Sequence, residues 1–574
     1  MAGVYEPMKR DLDALSSTSY DVVVIGGGIF GICAAWDAVL RGFKVALIER
    51  GDFAGAASAN CYKMVHGGIR YLQHGDLVRL RESARERSIL LRIAPHLVTP
   101  LPIVVPTFGH GRNGKEILRA ATLAYDALTL DRNRGIHDPS RRIPAARKLS
   151  RSELLEHFDG FDDPGLTGGV LFHDAQMYSP PRLAMAFLRA ACAAGLDAAN
   201  YVEAAGLERA GGSVKAVKAR DKLSGAELVI RGRAFINAAG PWAERLLSRS
   251  LPTPLTPAST FSRDAYFIVR RRLDSPYTLA VQARNRDPDA LLSRQARHLF
   301  IVPWREYSII GVWHVVYRGD PDAVTVSRED LARFIDEING AYPPLDLSLE
   351  DVTQWNAGLV LFGDRQADAR NLSYGKRSRL VDHQTTHGID NLVSLIGIRY
   401  TMARSDAKRA VDMVVAKLGT GRVASKTHIT DVYGSGFGRF EDLLADIQAR
   451  WPALPLPTRD ALARNHGIAS ERVLAAGNPA GSAARLLAGS HVVEEEVIYA
   501  AREEMAVKLS DVVFRRTDLG TGGHPGRAAI ERSAQVLGRE LGWSGERIRR
   551  EVEEVESLFR HLGSVAAMEQ AASA

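Results

Sequence analysis

Three glycines and one acid carry the first chemistry legible in the chain. Gly26, Gly28 and Gly31 form a G-x-G-x-x-G run, and Glu49 follows within the span of one βαβ unit. In such a run the first glycine lets the chain turn sharply. The second lets the backbone approach a pyrophosphate, and the third lets a helix pack closely on a strand. A carboxylate ending the next strand can accept hydrogen bonds from a ribose diol. The elements needed to position these groups occur in order. Tyr20–Ile25 is a β-branched apolar run, read as a buried parallel strand. Ile29–Leu40 reads as a helix with Gly42 placed to end it, so that Ile29 and Phe30 open the helix N-terminus toward an anion. Phe43–Ile48 reads as the second strand. The alternative is a glycine-rich turn in an ordinary α/β core.

Periodicity does not separate FAD from NAD, but the next segment does. Gly51-Asp-Phe-Ala-Gly-Ala-Ala-Ser58 is a long run of small residues starting where the second strand ends. Such a loop suits the extended pyrophosphate and ribityl chain of FAD, and Arg50 and Ser58 bracket it as cofactor-side candidates.

At 574 residues the chain is too long for one ordinary core, and two or three domains are expected. Hydrophobic residues make up 46% and charged residues 25%, the balance of a soluble globular protein. The net charge of +7 is mild for this length; it suits anionic ligands or an anionic membrane surface. No basic block interleaved with aromatics occurs, so nucleic acid is not expected as a partner. Cys33, Cys61 and Cys192 form no CxxC pair, which argues against a metal site or disulfide framework and fits a reducing compartment. Met1–Ser19 lacks an apolar core, so no signal peptide is expected. Lys115–Leu130 places Ile117, Leu118, Ala121, Ala124, Tyr125 and Leu128 at helical spacing with basic flanks. It reads either as a helix lying in a lipid headgroup layer or as one packed on its own domain.

Lys63-Met-Val-His-Gly-Gly-Ile-Arg-Tyr-Leu72 closely resembles the K-L-I-H-G-G-L-R-Y-L stretch of the FAD-dependent glycerol-3-phosphate dehydrogenase family. The similarity recurs at Arg87–His96, at Phe235–Trp242 (the family's V-I-N-A-x-G-P-W), at Tyr307–Gly311 with Tyr317–Pro321, and at Val497–Arg502 and Asp511–Thr517. It implies an α/β fold with a discontinuous Rossmann-type FAD-binding domain (20–106, 165–257 and 388–419). A β-rich substrate-binding domain (107–164 and 258–387) and a helical C-terminal domain (426–574) complete it.

The resemblance also implies roles. Arg70 and Tyr71 face the substrate; His66 and His314 are candidate acid/base groups. Lys63, His66, Gly67, Gly68, Val202, Ala239, Gly240, Gly397, Tyr400 and Thr401 line the flavin. Arg399 replaces a family Lys and is expected to serve flavin and substrate together, as a planar fork rather than a point charge. Departures cluster where a phosphate would bind. Val360 stands at an Arg position, Tyr266 at a His position, and Val312-Trp-His314 replaces T-T-D. Lys376 is a candidate to compensate. Trp313 and Tyr266 would suit a larger or less charged alcohol.

The leading expectation is a dehydrogenase with non-covalent FAD. It would oxidise sn-glycerol 3-phosphate to dihydroxyacetone phosphate by hydride transfer to flavin N5 and pass electrons to quinone. The resemblance places it in the cytoplasm or peripherally on the cytoplasmic face of the inner membrane, with self-association open. The alternatives are the same scaffold acting on another alcohol or an amine, and a non-catalytic flavin-binding sensor.

Overall fold

The computed structural model describes residues 6–109, 115–161, 164–251, 260–271, 273–283, 298–361, 378–421, 423–477 and 484–562. Two large sheets and a helical C-terminal region organise these residues. The first sheet runs in the order Arg379–Asp382, Leu392–Ile396, Glu227–Asn237, Ser19–Ile25, Val45–Ile48, Asp197–Ala199. Its centre is parallel: Val22 to Ile25 lie beside Val45 to Ile48 on one side and beside Ala234 to Asn237 on the other. Buried on both faces, these strands are continuous apolar runs, as a parallel sheet requires. Helix Ile29–Leu40 crosses from the first strand to the second and buries ten residues, with Trp36 against Phe187 at 5.0 Å.

The second sheet has the order Val352–Leu361, Phe261–Arg270, Tyr307–Tyr317, His298–Trp304, Thr278–Gln282, Val98–Phe108, Leu166–Met177, Met64–Val65. Alternation along its strands sorts two faces. Phe267, Trp313 and Trp355 point back onto Phe334 and Ile335 of the covering helix Arg328–Ala341. Tyr266, Ile268 and Ile309 point forward, toward Met64 and Trp304. Val98–Phe108 and Leu166–Met177, which the sequence boundaries group largely with the FAD-binding segments, pair with each other in this second sheet. The chain leaves the first sheet after Val45–Ile48 and rejoins it at Asp197–Ala199, with Leu183–Phe187 packed on the nucleotide helix in between, so its sequence-continuous segments are not its spatial domains.

The C-terminal helices, among them Glu494–Glu503, Arg527–Leu541 and Gly545–Leu562, share their own apolar core. Buried ion pairs dock them. Arg515 and Arg516 reach Asp52 at 2.5 and 2.7 Å, Arg182 reaches Glu504 at 2.6 Å, and Arg305 reaches Asp518 at 2.7 Å. Lys115–Leu128 is a helix whose Tyr125 is buried, its hydroxyl donating to the Gly67 carbonyl at 3.0 Å; that face packs on the chain itself. Among the described residues no helix is long and apolar enough to cross a membrane.

Candidate active site

One cavity of about 1270 Å³ begins at the glycine run and continues between the two sheets. At its nucleotide end the geometry comes from the main chain. Gly26 has φ +108°, and a Cβ there would lie 2.6 Å from the Ala238 carbonyl oxygen. A Cβ on Gly31 would lie 1.9 Å from the Gly26 carbonyl oxygen, so this glycine sets the helix–strand distance. Gly28 opens the helix and lines the cavity, with only the Ser58 hydroxyl near a would-be Cβ, at 3.1 Å. The Ser58 hydroxyl accepts from the Ile29 N–H at 3.0 Å. Glu49 accepts from the Gly27 and Gly51 N–H groups at 2.6 and 2.8 Å, while burial raises its pKa above the ordinary value. Each carboxylate oxygen accepts more than one donor, so a ribose diol fits there.

Phe30, Arg50, Val202, Ala239 and Gly240 line the same end. Arg50 sits 3.9 Å over the Trp242 ring and pairs with Asp322 at 2.7 Å. Lys508, Ser510 and Arg515 of the C-terminal region also reach the cavity, with Tyr201 beside them. Sequence reasoning missed this contribution. Its one signal was the Asp511–Thr517 similarity, which carries no local hint of a distant docking partner.

Toward the second sheet, side chains take over. Met64–Val65 is a short strand, and His66 follows it. The His66 N–H donates to Thr401 Oγ1 at 3.1 Å, and its Nδ1 lies 3.4 Å from Asp174. Asp174 also accepts from the Gly67 N–H at 2.6 Å and Arg87 at 3.0 Å. Burial alone would raise the Asp174 pKa; the His66 hydrogen bond and the Arg87 charge overcome it and hold the carboxyl below its usual range. Gly67 itself is wedged against Arg87 and Tyr125, whereas Gly68, at φ +86°, turns the chain into Ile69–His74 and lines the cavity. Arg70 lies in that turn; its side chain is outside the described residues, as is all of Lys376. Arg399 donates to the Tyr71 hydroxyl at 2.6 Å and to Ser83 at 3.2 Å, and both Arg399 and Tyr71 line the cavity. Gly397 does too, and any side chain there would occupy the Phe30 ring. The Tyr400 hydroxyl bonds the Pro180 carbonyl at 2.9 Å.

The second sheet supplies the facing wall. Tyr266, Asp264, His314, Val312 and Val360 line it. His314 Nδ1 lies 2.8 Å from Asp264 Oδ1 across adjacent strands. Tyr266 Oη lies 2.6 Å from Nζ of Lys63, a buried side chain set behind the wall. Burial lowers the Lys63 pKa to about 7, with Arg305 adding to the effect. Trp313 corrects the sequence reading. It does not face substrate: strand alternation turns it to the back of the sheet, 4% exposed and stacked on Phe334 at 4.3 Å. Arg404, in the helix after Thr401, is committed to a buried pair with Glu86 at 2.5 Å.

The cradle fits FAD on its own geometry. It combines a helix start with an open glycine, a small-residue loop over it, a buried carboxylate and a cavity continuing to a polar cluster at Tyr71, Arg399 and Thr401. The comparisons agree. Residues 21–389 match the family described as FAD dependent oxidoreductase, and residues 425–548 match the C-terminal domain of alpha-glycerophosphate oxidase. The chain is 27% identical over 570 residues to the glycerol-3-phosphate dehydrogenase of Synechocystis sp., covering 95% of this chain and 97% of that one. It is 28% identical over 579 residues to the mitochondrial glycerol-3-phosphate dehydrogenase of Mus musculus, covering 96% and 74%. A solved glycerol-3-phosphate dehydrogenase from Bacillus halodurans, complexed with FAD, superimposes with a TM-score of 0.73 at 22% identity over 96% of each chain. The chain therefore belongs to the family of FAD-dependent oxidoreductases, with the architecture of the glycerol-3-phosphate dehydrogenase type.

Proposed function

We propose that this enzyme oxidises sn-glycerol 3-phosphate to dihydroxyacetone phosphate. The observation that carries the reading is the Tyr71–Arg399 pair in a cavity continuous with the nucleotide cradle. Bound FAD supplies hydride acceptance. The chain's own residues do the rest. Arg399 and Tyr71 bind the polar end of the alcohol; Arg70, from the same turn, adds a second cation for the phosphate. Asp174 fixes the His66 ring while Thr401 holds its backbone, and the apolar wall of Ile103, Phe172 and Phe300 excludes water. His66 and His314, each held by a carboxylate, lie on the cavity wall as hydrogen-bonding groups for the bound alcohol.

A second reading has its own observation. Val360 puts an apolar side chain on the cavity wall where the resembled family carries Arg, which favours a hydroxy compound with a smaller charge or an amine. Anaerobic flavin bleaching by a panel of alcohols and amines separates the two. Reduction by glycerol 3-phosphate selects the first; reduction only by another compound selects the second.

Quinone as electron acceptor and a peripheral position on the cytoplasmic face of the inner membrane follow from the same reading. Leu77, Val78, Leu123 and Leu130 are 46%, 60%, 54% and 83% exposed. Arg81 ties the helix start carrying Leu77 to the end of Lys115–Leu128, through the Leu128 carbonyl and Asp131. An exposed apolar group with basic neighbours suits an anionic lipid surface. Flotation with anionic liposomes tests this; protein left at the bottom of the gradient would remove the membrane part.

A further inference from the structure

Lys63 is a buried amine that neither the cradle nor the Tyr71–Arg399 pair uses. It is 4% exposed, and among the described residues its Nζ has one hydrogen-bond partner, Tyr266 Oη at 2.6 Å, and no carboxylate partner. Aromatic faces complete its surroundings: Nζ lies 4.9 Å from the Tyr266 ring centre and 4.8 Å from that of Trp304. The neighbouring charges come from two directions. Arg305 follows Trp304 in the turn after His298–Trp304 and is neutralised by Asp518, which also accepts from the Tyr178 hydroxyl at 2.8 Å and faces His491 at 3.4 Å. Cys61 lies on Lys63's own segment, and the Tyr62 ring packs 5.4 Å from Tyr266.

An ammonium buried without a carboxylate is costly, and a lysine so placed gives up its proton near neutral pH. Tyr266 is fully buried from bulk solvent yet lines the cavity. Burial pushes its own pKa well above 10, so the phenol alone is a poor base. Bonded to a neutral amine, it can accept one proton while releasing another.

We propose that Tyr266 and Lys63 form a proton relay for substrate oxidation, with Tyr266 meeting the substrate and Lys63 acting through it as a positioning and proton-storing residue. The inference rests on the reading of the protein as an alcohol-oxidising flavoenzyme. The alcohol's C–H bond breaks with its electron pair leaving as hydride for oxidised FAD, and its C–O bond becomes a carbonyl. Its hydroxyl proton passes to Tyr266 Oη. The phenol's original proton passes to Lys63 Nζ, turning the amine into an ammonium, which returns the proton to solvent after product leaves.

Two measurements test this. The first needs no substrate. Holoprotein carrying 13Cε-lysine is titrated by NMR, with the Lys63 signal assigned by its loss in Lys63→Met. A transition near pH 7 is expected; a Lys63 that stays charged through about pH 9, near its ordinary value of about 10.4, overturns the relay. The second is rapid-reaction flavin reduction by sn-glycerol 3-phosphate. The rate should rise with pH along a limb near 7, because only the neutral amine accepts. Tyr266→Phe and Lys63→Met, checked for full FAD content, should slow reduction by about 10²–10⁴-fold and abolish that limb. Lys63→Arg keeps a cation that never deprotonates and should be as slow. Recovery of the wild-type rate by Arg would mean a structural cation and overturn the relay. If glycerol 3-phosphate reduces no flavin in the wild type, the substrate reading fails, and the NMR titration decides the relay by itself.

Discussion

At one end of the cavity the ligand-facing groups are main-chain atoms set by glycines a few residues apart. At the other they are side chains brought together over long stretches of chain, 328 residues between Tyr71 and Arg399 and 203 between Lys63 and Tyr266. The first end has almost no room to change, because Gly26 and Gly31 abut backbone that cannot give. The second can exchange one side chain for another while the strands stay in place. That is where this chain departs from the family it resembles, at Tyr266, His314 and Val360. We therefore expect the cofactor end to fix what kind of chemistry is done, and the wall to decide on which molecule.

The comparison breaks hardest at the glycines. Gly31→Val would place its side chain 1.9 Å from the Gly26 carbonyl oxygen. We expect a loss of about 3 kcal/mol or more and protein purified without FAD, read from the flavin content per chain. Full flavin content would show that this end is more plastic than its backbone contacts allow.

The docking of the C-terminal region comes next. Asp52→Ala leaves Arg516 buried beside the small-residue loop without its carboxylate, while Arg515 keeps Asp511. Loss of such a partner costs about 3–5 kcal/mol, so thermal unfolding should shift down markedly. An unchanged midpoint would mean that the two regions are joined by other contacts.

Glu504 gives the same interface a pH signature. Burial would raise its pKa, but the Arg182 charge and hydrogen bonds lower it to about 2, against about 4.3 in an unfolded chain. A depressed folded-state value stabilises above the unfolded pKa, and that contribution fades as pH falls from about 4 toward about 2, by up to about 3 kcal/mol. Glu504→Gln should flatten this part of the stability profile; an identical acid limb would place the titration elsewhere.

Smaller effects sharpen the wall. Val360→Arg should tighten glycerol 3-phosphate binding about tenfold, roughly 1.4 kcal/mol, in a flavin-perturbation titration. Unchanged or weaker binding would show that this position does not meet the phosphate. Trp313→Phe should leave KM unchanged and cost under about 1.5 kcal/mol, because the ring packs against Phe334 behind the sheet. A change in KM would contradict that placement.

The nucleotide end was legible in the sequence because backbone requirements leave residue types behind: glycine where a Cβ would strike a carbonyl, an acid where a strand ends. Helix Ile29–Leu40 has the predicted bounds, and the two flanking strands, Ser19–Ile25 and Val45–Ile48, differ from expectation only at their first residues. The wall was not legible in this way. Whether Trp313 faces front or back depends on strand phase, and one residue reverses it. The His314–Asp264 and Lys63–Tyr266 pairs depend on strand neighbours that local patterns do not name. The strands Val98–Phe108 and Leu166–Met177 looked continuous with the nucleotide fold because chain order suggested it; their cross-strand pairing put them in the other sheet.

We expect the glycine run, Ser58 and Glu49 to hold FAD in a cavity that opens onto Tyr71, Arg399 and Tyr266. Equilibrium reconstitution measures it directly: flavin-stripped protein is titrated with FAD, and bound flavin is followed by its fluorescence quenching. Saturable, stoichiometric binding is expected, and Glu49→Ala should weaken it by the loss of the hydrogen bonds its carboxylate offers. Protein that takes up no FAD, or binds it equally well without Glu49, would contradict it.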